Sequence, residues 1–294
     1  MNLQRLSNKV FYFPNPVNIG VIQTEDGYIL VDSGIDESVP RKLVRLLERP
    51  PKYLLNTHSH ADHCGGNDFL KRKYNVEVFA PETEAALIEN PILEPFYLFG
   101  ARPPRDLLTK FLMASPSHVD RVVVPGRYEL AGSEIEVIAL PGHSLNQVGF
   151  AVDGILFCAD AVFGRETIEK HKIPVVYDLE SFFETLSFLE GTGYDLYVPS
   201  HGTPTGDVVE LTLLNRSVLE HLLHTMLGAL KAPLTTDELM EKVFKYFEVE
   251  VKGLVQFFLL RTTIQACLSY LYDKGEIEVD FSRSIPVWKI RPAG

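Results

Sequence analysis

Within Thr57-His58-Ser59-His60-Ala61-Asp62-His63-Cys64-Gly65-Gly66, three imidazoles and a carboxylate fall in six consecutive positions. In a core, each would need a buried hydrogen-bond partner, and together they would carry a large desolvation cost. As ligands for a divalent cation they are well chosen, because neutral imidazole and carboxylate are the ordinary nitrogen and oxygen donors to zinc. The apolar run Tyr53-Leu54-Leu55 before them reads as a buried strand, and Gly65-Gly66 after them lets the backbone turn tightly. The cluster therefore belongs on a loop at a strand end, where function is usually carried.

Three more ligand-type residues stand just past strand-like runs. Ile135 to Leu140 alternates and stops at Pro141-Gly142, which leaves His143 beyond a strand. Ile155-Leu156-Phe157-Cys158 is an apolar run ending at Asp160, and Tyr194 to Val198 ends at Pro199, shortly before His201. Side chains delivered from several strand ends to one rim are what a multi-ligand site on a layered sheet requires. His118, His171, His221 and His224 lack such partners and read as ordinary surface or helix residues.

The run from His58 to His63 resembles the His-x-His-x-Asp-His signature of the metallo-β-lactamase superfamily. Leu140-Pro141-Gly142-His143-Ser144 resembles its second His station, Phe157-Cys158-Ala159-Asp160 its Asp station, and Val198-Pro199-Ser200-His201-Gly202 its last His station. Leu30-Val31-Asp32-Ser33-Gly34 resembles the family's first motif. The likeness spans roughly the first two-thirds of the chain. It implies an α/β protein, the αββα sandwich, with His58, His60 and His143 on one metal and Asp62, His63 and His201 on the other. Asp160 would bridge them. The implied cofactor is a pair of Zn2+ ions per chain, with iron or manganese as alternatives. The implied chemistry is hydrolysis by a metal-bridging hydroxide that Asp62 orients. Asp32 would orient the ligand loop from behind rather than bind metal. The family's flavodiiron oxidoreductases place Glu where His60 stands and carry a flavodoxin module absent from this sequence, which favours zinc hydrolysis. Some mononuclear iron persulfide dioxygenases share much of the motif. Cys64 occupies a position the family leaves free and reads as a small packed thiol.

The elements that must position these residues are partly legible. Val17 to Gln23 and Tyr28 to Val31 flank Asp26-Gly27, and Gly149 to Val152 and Ile155 to Cys158 flank Asp153-Gly154. Both are two-residue hairpin signals. Val39 to Glu48 has helical spacing and stops at Pro50-Pro51. Periodicity alone predicts a mixed α/β chain. The long excursion over 90–125 is rich in aromatics, and a short helix is expected over Leu107 to Met113. It reads equally as a lid over the metals and as a surface cover or homodimer contact. Past His201, helices are expected over Val208 to Leu230, from a capping box at Thr235 and Glu238 through Phe247, and over Leu254 to Tyr272. Ile277-Glu278-Val279 and Val287 to Ile290 read as two short strands. We therefore expect a catalytic domain over 1–207 and a small C-terminal winged-helix domain over 208–294, similar to that of the lactamase-β-like branch.

Composition narrows the partners. With 294 residues, 46% of them hydrophobic, the chain can bury a full core and form two domains. Cys64, Cys158 and Cys267 contain no CxxC pair and imply no disulfide framework. Met1 to Val10 has no apolar h-region, and no uninterrupted apolar run reaches the ~18 residues that span a bilayer. A cytoplasmic protein with no membrane partner is expected. The net charge of -11 disfavours indiscriminate attraction to nucleic acid, and residues 207–294 carry twelve Asp and Glu against ten Lys and Arg. These features favour a small ester or thioester substrate. A single-stranded RNA endoribonuclease is the alternative within the family, and a winged-helix nucleic-acid-binding regulator is the alternative of another class. Tyr177, after Pro174-Val175-Val176, is a candidate to reach the substrate and equally to pack.

Overall fold

A computed structural model of the chain describes residues 2–292. The first sheet follows chain order through seven strands: β1 (Gln4–Arg5), β2 (Val10–Phe13), β3 (Ile19–Thr24), β4 (Gly27–Val31), β5 (Pro51–Leu55), β6 (Glu77–Pro81) and β7 (Arg121–Val123). Its first four strands pair antiparallel and the rest parallel. The second sheet contains β8 (Gly126–Leu130), β9 (Ser133–Ala139), β10 (Val148–Val152), β11 (Ile155–Ala159) and β12 (Leu196–Pro199), in the order β12-β11-β10-β9-β8. The β10–β11 hairpin turns where expected, with Asp153 at φ 50° and Gly154 at φ 76°, the left-handed pair that a two-residue hairpin needs.

The two sheets face each other. Ile22, Ile29, Val31 and Leu55 of the first pack on Val137, Val148, Phe150 and Phe157 of the second. Helices α1 (Ser38–Val44), α2 (Ala61–Cys64), α3 (Asn67–Tyr74), α4 (Glu82–Glu89) and α5 (Leu93–Phe99) follow strands of the first sheet. Leu43 of α1 and Leu70 of α3 cover its outer face against Val21, Leu30 and Leu54. β4 is thus buried on both sides, which is why Gly27–Val31 reads as an unbroken apolar run. On the outer face of the second sheet lie α6 (Arg165–His171), α7 (Leu179–Glu190) and α8 (Val208–Ala229). This is the helix–sheet–sheet–helix sandwich that the motifs implied.

The chain continues into α9 (Thr236–Tyr246), α10 (Leu254–Asp273) and an antiparallel pair, β13 (Ile277–Asp280) and β14 (Val287–Ile290). The Thr235–Glu238 capping box opens α9 as expected. Helices α8, α9 and α10 share one apolar core with α7 and the second sheet, joining Leu156, Phe182 and Leu186 to Leu222, Val243, Ile264 and Leu268. By length and composition alone, α10 could cross a membrane. Here Leu260, Ile264, Cys267, Leu268 and Leu271 pack into that core instead.

Two expected helices differ. No α-helix forms over Leu107 to Met113; a 3-10 turn at Arg105–Leu107 is followed by further turns. The buried residues there are Leu107 and Leu112, five positions apart, which one helical face cannot present together. Helix α1 also stops short of Glu48. Leu46 and Leu47 donate to the carbonyls of Leu43 and Val44, three residues back, so the final turn tightens before Pro50.

Candidate metal centre

All seven ligand-type residues converge at one end of the two sheets. His58 and His60 lie on the loop after β5, and Asp62 and His63 in the short α2. Gly65 allows the next turn, because a Cβ there would meet the Ile35 carbonyl oxygen at 2.1 Å. Gly142, at φ 122°, precedes His143; a Cβ on it would collide with the Phe182 backbone at 2.4 Å. Asp160 follows Ala159, which is left-handed at φ 52° at the end of β11, where the pairing with β12 shifts register. Left-handed backbone in a non-glycine residue costs energy and persists where surroundings hold it. Here it turns Asp160 into the cluster.

Hydrogen bonds decide which ring nitrogens face inward. His63 Nδ1 donates to Asp32 Oδ2 at 2.8 Å, and His143 Nδ1 donates to the Val175 carbonyl at 2.8 Å. Thr57 Oγ1 gives its proton to Asp32 Oδ2 at 2.8 Å and so accepts from His58 Nδ1 at 3.0 Å. In their neutral forms His58, His63 and His143 therefore turn unprotonated Nε2 atoms toward one another's neighbourhood. His60 points Nδ1 inward, 3.1 Å from His58 Nε2 and 2.9 Å from His143 Nε2. These three nitrogens lie close enough together to share one cation.

The second half is carboxylate-rich. Asp160 Oδ2 is 3.4 Å from both His143 Nε2 and His201 Nε2, and Asp160 Oδ1 is 3.5 Å from His63 Nε2. His201 Nε2 also lies 3.4 Å from Asp62 Oδ2. His63 Nε2 and Asp160 Oδ1 are buried and have no hydrogen-bond partner. Buried polar atoms are normally satisfied, so such a pair calls for a missing partner. The donor atoms form three sets: His58, His60 and His143; His58, His63 and Asp160; Asp62, His63 and His201. Each set could hold a metal ion, and the donor types fit one.

For His58, His60 and His143 the charge states agree with ligation. Burial pushes His58 well below the usual imidazole range, and His60 and His143 to about 4, leaving neutral rings with free lone pairs. Burial would also lower His63 and His201, but Asp160, with Asp32 and Asp62 around His63 and Asp62 beside His201, outweighs it and raises both; a cation here would take the place of their Nε2 protons. Burial would raise Asp160; His201, His63 and His143 instead keep it ionised far below the ordinary carboxylate range.

Around the cluster, Asp32 sits at φ 64° and accepts from Thr57 N at 2.9 Å as well as from Thr57 Oγ1 and His63. It lies behind the donor atoms. Tyr177 does not line the cavity in front of the cluster; its ring packs 5.7 Å from His60, and its hydroxyl lies 3.4 Å from that of Tyr97. Cys64 is buried, donating to the Ser59 carbonyl at 3.1 Å. His221 and His224 join no ligand cluster among the described residues.

Two glutamates escape a reading by motif. Glu84 in α4 is fully buried and accepts from Ser59 N at 2.9 Å, Ser144 Oγ at 2.8 Å and Asn146 N at 3.0 Å. It ties the loop of His58 and His60 to the loop of His143. The helical spacing of Glu84 and Ile88, both on the inward face, was the only hint. Glu94 of α5 is buried with Oε1 3.9 Å from His60 Nε2, and burial, then Asp62 and Glu84, raise its pKa well above normal.

A family model described as the metallo-beta-lactamase superfamily matches residues 12–201. Over 115 residues the chain is 35% identical to a hydroxyacylglutathione hydrolase of Thiobacillus denitrificans, covering 38% of this chain and 33% of that one. It is 28% identical to a probable metallo-hydrolase of Streptococcus pyogenes, covering 64% of this chain and 80% of that one. A second hydroxyacylglutathione hydrolase, from Buchnera aphidicola subsp. Schizaphis graminum, matches over 54% of this chain and 52% of its own length at 28% identity. The chain thus spans a third to a half of the hydroxyacylglutathione hydrolases it matches. Among solved structures, a metallo-beta-lactamase family protein from Thermus thermophilus superposes with TM-score 0.77 at 22% identity, covering 98% of this chain and 100% of that one. A beta-lactamase domain protein from Burkholderia ambifaria gives TM-score 0.79 at 20% identity, with 98% and 94% covered. These similarities carry through the C-terminal helices and support the fold.

Proposed function

The chain belongs to the metallo-beta-lactamase superfamily, and from that premise we propose that it is a dinuclear zinc hydrolase acting on a small ester or thioester. The carrying observation is the convergence of seven imidazole and carboxylate side chains, with two buried donor atoms left unpartnered at their centre. We assign His58, His60 and His143 to one cation, Asp62, His63 and His201 to the other, and Asp160 to both. Bound there, the cations supply Lewis acidity toward the acyl oxygen and lower the pKa of water toward neutrality. The chain's own groups do the rest. Asp32 holds the Nδ1 proton of His63, which keeps Nε2 free for ligation. Asp62, ionised and beside His201, orients the nucleophile. Phe163 covers the inner wall, 5.5 Å from the His143 ring and 6.2 Å from that of His201, and limits water there.

The similarity to hydroxyacylglutathione hydrolases supports a thioester. RNA cleavage is less well supported, because cations of the C-terminal region are committed to neighbours: Arg216 to Glu190, Arg261 to Asp237 and Lys274 to Glu180. Elemental analysis of chelator-free protein should give about two first-row metals per chain. Assays on acyl thioesters, lactones, S-lactoylglutathione, nitrocefin and single-stranded RNA should favour the thioesters, and Asp62→Ala should abolish the activity without unfolding the chain. A single iron per chain, or full activity in a metallated Asp62→Ala variant, would overturn the mechanism.

A further inference from the structure

A cavity of about 770 Å³ opens in front of the cluster. His60, Asp62, His143, Asp160 and His201 form one end of it. Away from them the wall is mostly apolar. Ile168 of α6, Ile173 and Leu112 meet Val255, Leu259 and Leu260 from the first turns of α10. Leu112, Ile168, Ile173 and Leu260 are buried, so this is a built surface and not a shallow groove. Lys252 is the only lysine or arginine in the wall among the described residues, and its side chain is 78% exposed. Two carboxylates, Glu94 and Asp106, also line it. A substrate bearing carboxylates on its body would find no buried lysine or arginine to pair with. An alkyl chain would meet what it needs.

We propose that the acyl group of the substrate is an unbranched aliphatic chain of medium length, seated against α10, with its thioester at the metal cluster. The inference rests on the hydrolase reading above and adds the substrate class. At ~30 Å³ for a water-sized group, a chain of about ten carbons and its thioester fit within the cavity. The reaction is addition of water to the acyl carbon and breakage of the C–S bond, giving a carboxylic acid and a free thiol, with no redox partner. Burial of each added methylene raises kcat/KM by up to about fourfold until the cavity is filled.

The test uses full-length metal-loaded protein and N-acetylcysteamine thioesters from acetyl through butyryl and octanoyl to decanoyl. kcat/KM should climb along the series, by at least about a hundredfold in all. Val255→Trp, which fills the wall, should cut the decanoyl-to-acetyl ratio by about tenfold or more; Val255→Asp, which makes the wall polar with little added volume, should do the same. Val255 is half-buried and outside the apolar core, so either variant can fold. Calorimetry with the uncleavable thioether S-decyl-N-acetylcysteamine, against its S-ethyl analogue, reads the same cavity without turnover. Turnover that is flat with chain length, or a decyl preference untouched by both variants, overturns the acyl cavity and leaves the hydrolase intact. Graded thioether binding lost in both variants, with no thioester cleaved, supports the cavity and overturns the hydrolase reading.

Discussion

Glu84 shows what one side chain can do for a site it does not enter. Its two oxygens take three donors from two loops, one on each sheet, and those loops carry three of the imidazoles. Removing an acceptor from buried N–H groups costs about 1–3 kcal/mol per group. Glu84→Gln keeps the shape but turns an amide N–H toward a backbone donor. We expect metal affinity to fall about 10- to 100-fold, as for other partners that orient ligands. Competition of the metal-loaded protein with a chromophoric chelator measures this. Unchanged retention in a folded variant would reduce Glu84 to packing.

At the scale of elements, the stretch from α5 to Phe111 is held in place by a few specific ties. Phe99 packs edge-on against Phe258 of α10 with centroids 5.4 Å apart, Tyr97 meets Tyr177, and Lys110 pairs with Asp36 at 2.8 Å. Lys110, with Ser38, lowers the Asp36 pKa from 3.8 to about 2. A carboxyl depressed on folding contributes stability above its unfolded pKa, here about 3.8, and loses it as pH falls through the folded value. The contribution is small because the pair is partly exposed. Lys110→Ala should move the Asp36 titration, followed by carboxyl carbon NMR, back up toward 3.8. A midpoint that stays near 2 would show that Ser38 alone holds it.

Across the whole molecule, the helices after Asp207 are not an appendage. Leu219, Leu222 and Met226 of α8 and Ile264 and Cys267 of α10 are wholly buried in the core that also holds Leu156 and Phe182. Each large apolar side chain stripped of that cover loses about 1.5–3 kcal/mol. Truncation after Asp207 should therefore yield aggregated or molten protein, visible by size-exclusion chromatography and near-UV circular dichroism. Thr263 Oγ1 donates to the Pro174 carbonyl at 2.9 Å, beside the apolar wall, so the same truncation removes part of the cavity. Full-length protein titrated with duplex DNA near physiological salt should show no more than weak, roughly micromolar, non-specific binding. Nanomolar sequence-selective binding would restore the regulator reading.

Some of this was written in the order of residues. Imidazole and carboxylate at the ends of apolar runs are costly to bury without partners, and the fold brings those from His58 to His201 into one cluster that could hold metal. Hairpin turns at Asp153-Gly154 and the Thr235 cap were equally legible, since the chemistry that makes them is local. Tertiary structure decided the rest. Glu84 and Glu94 look like any helical glutamates until folding brings Ser144 and His60 against them. Leu107 and Leu112 resembled a helix because periodicity ignores the distant core that each must reach. The cavity beside the cluster has its apolar wall from segments some ninety residues apart, Ile168 and Leu260 among them. Its shape is a property of packing, which local sequence does not encode.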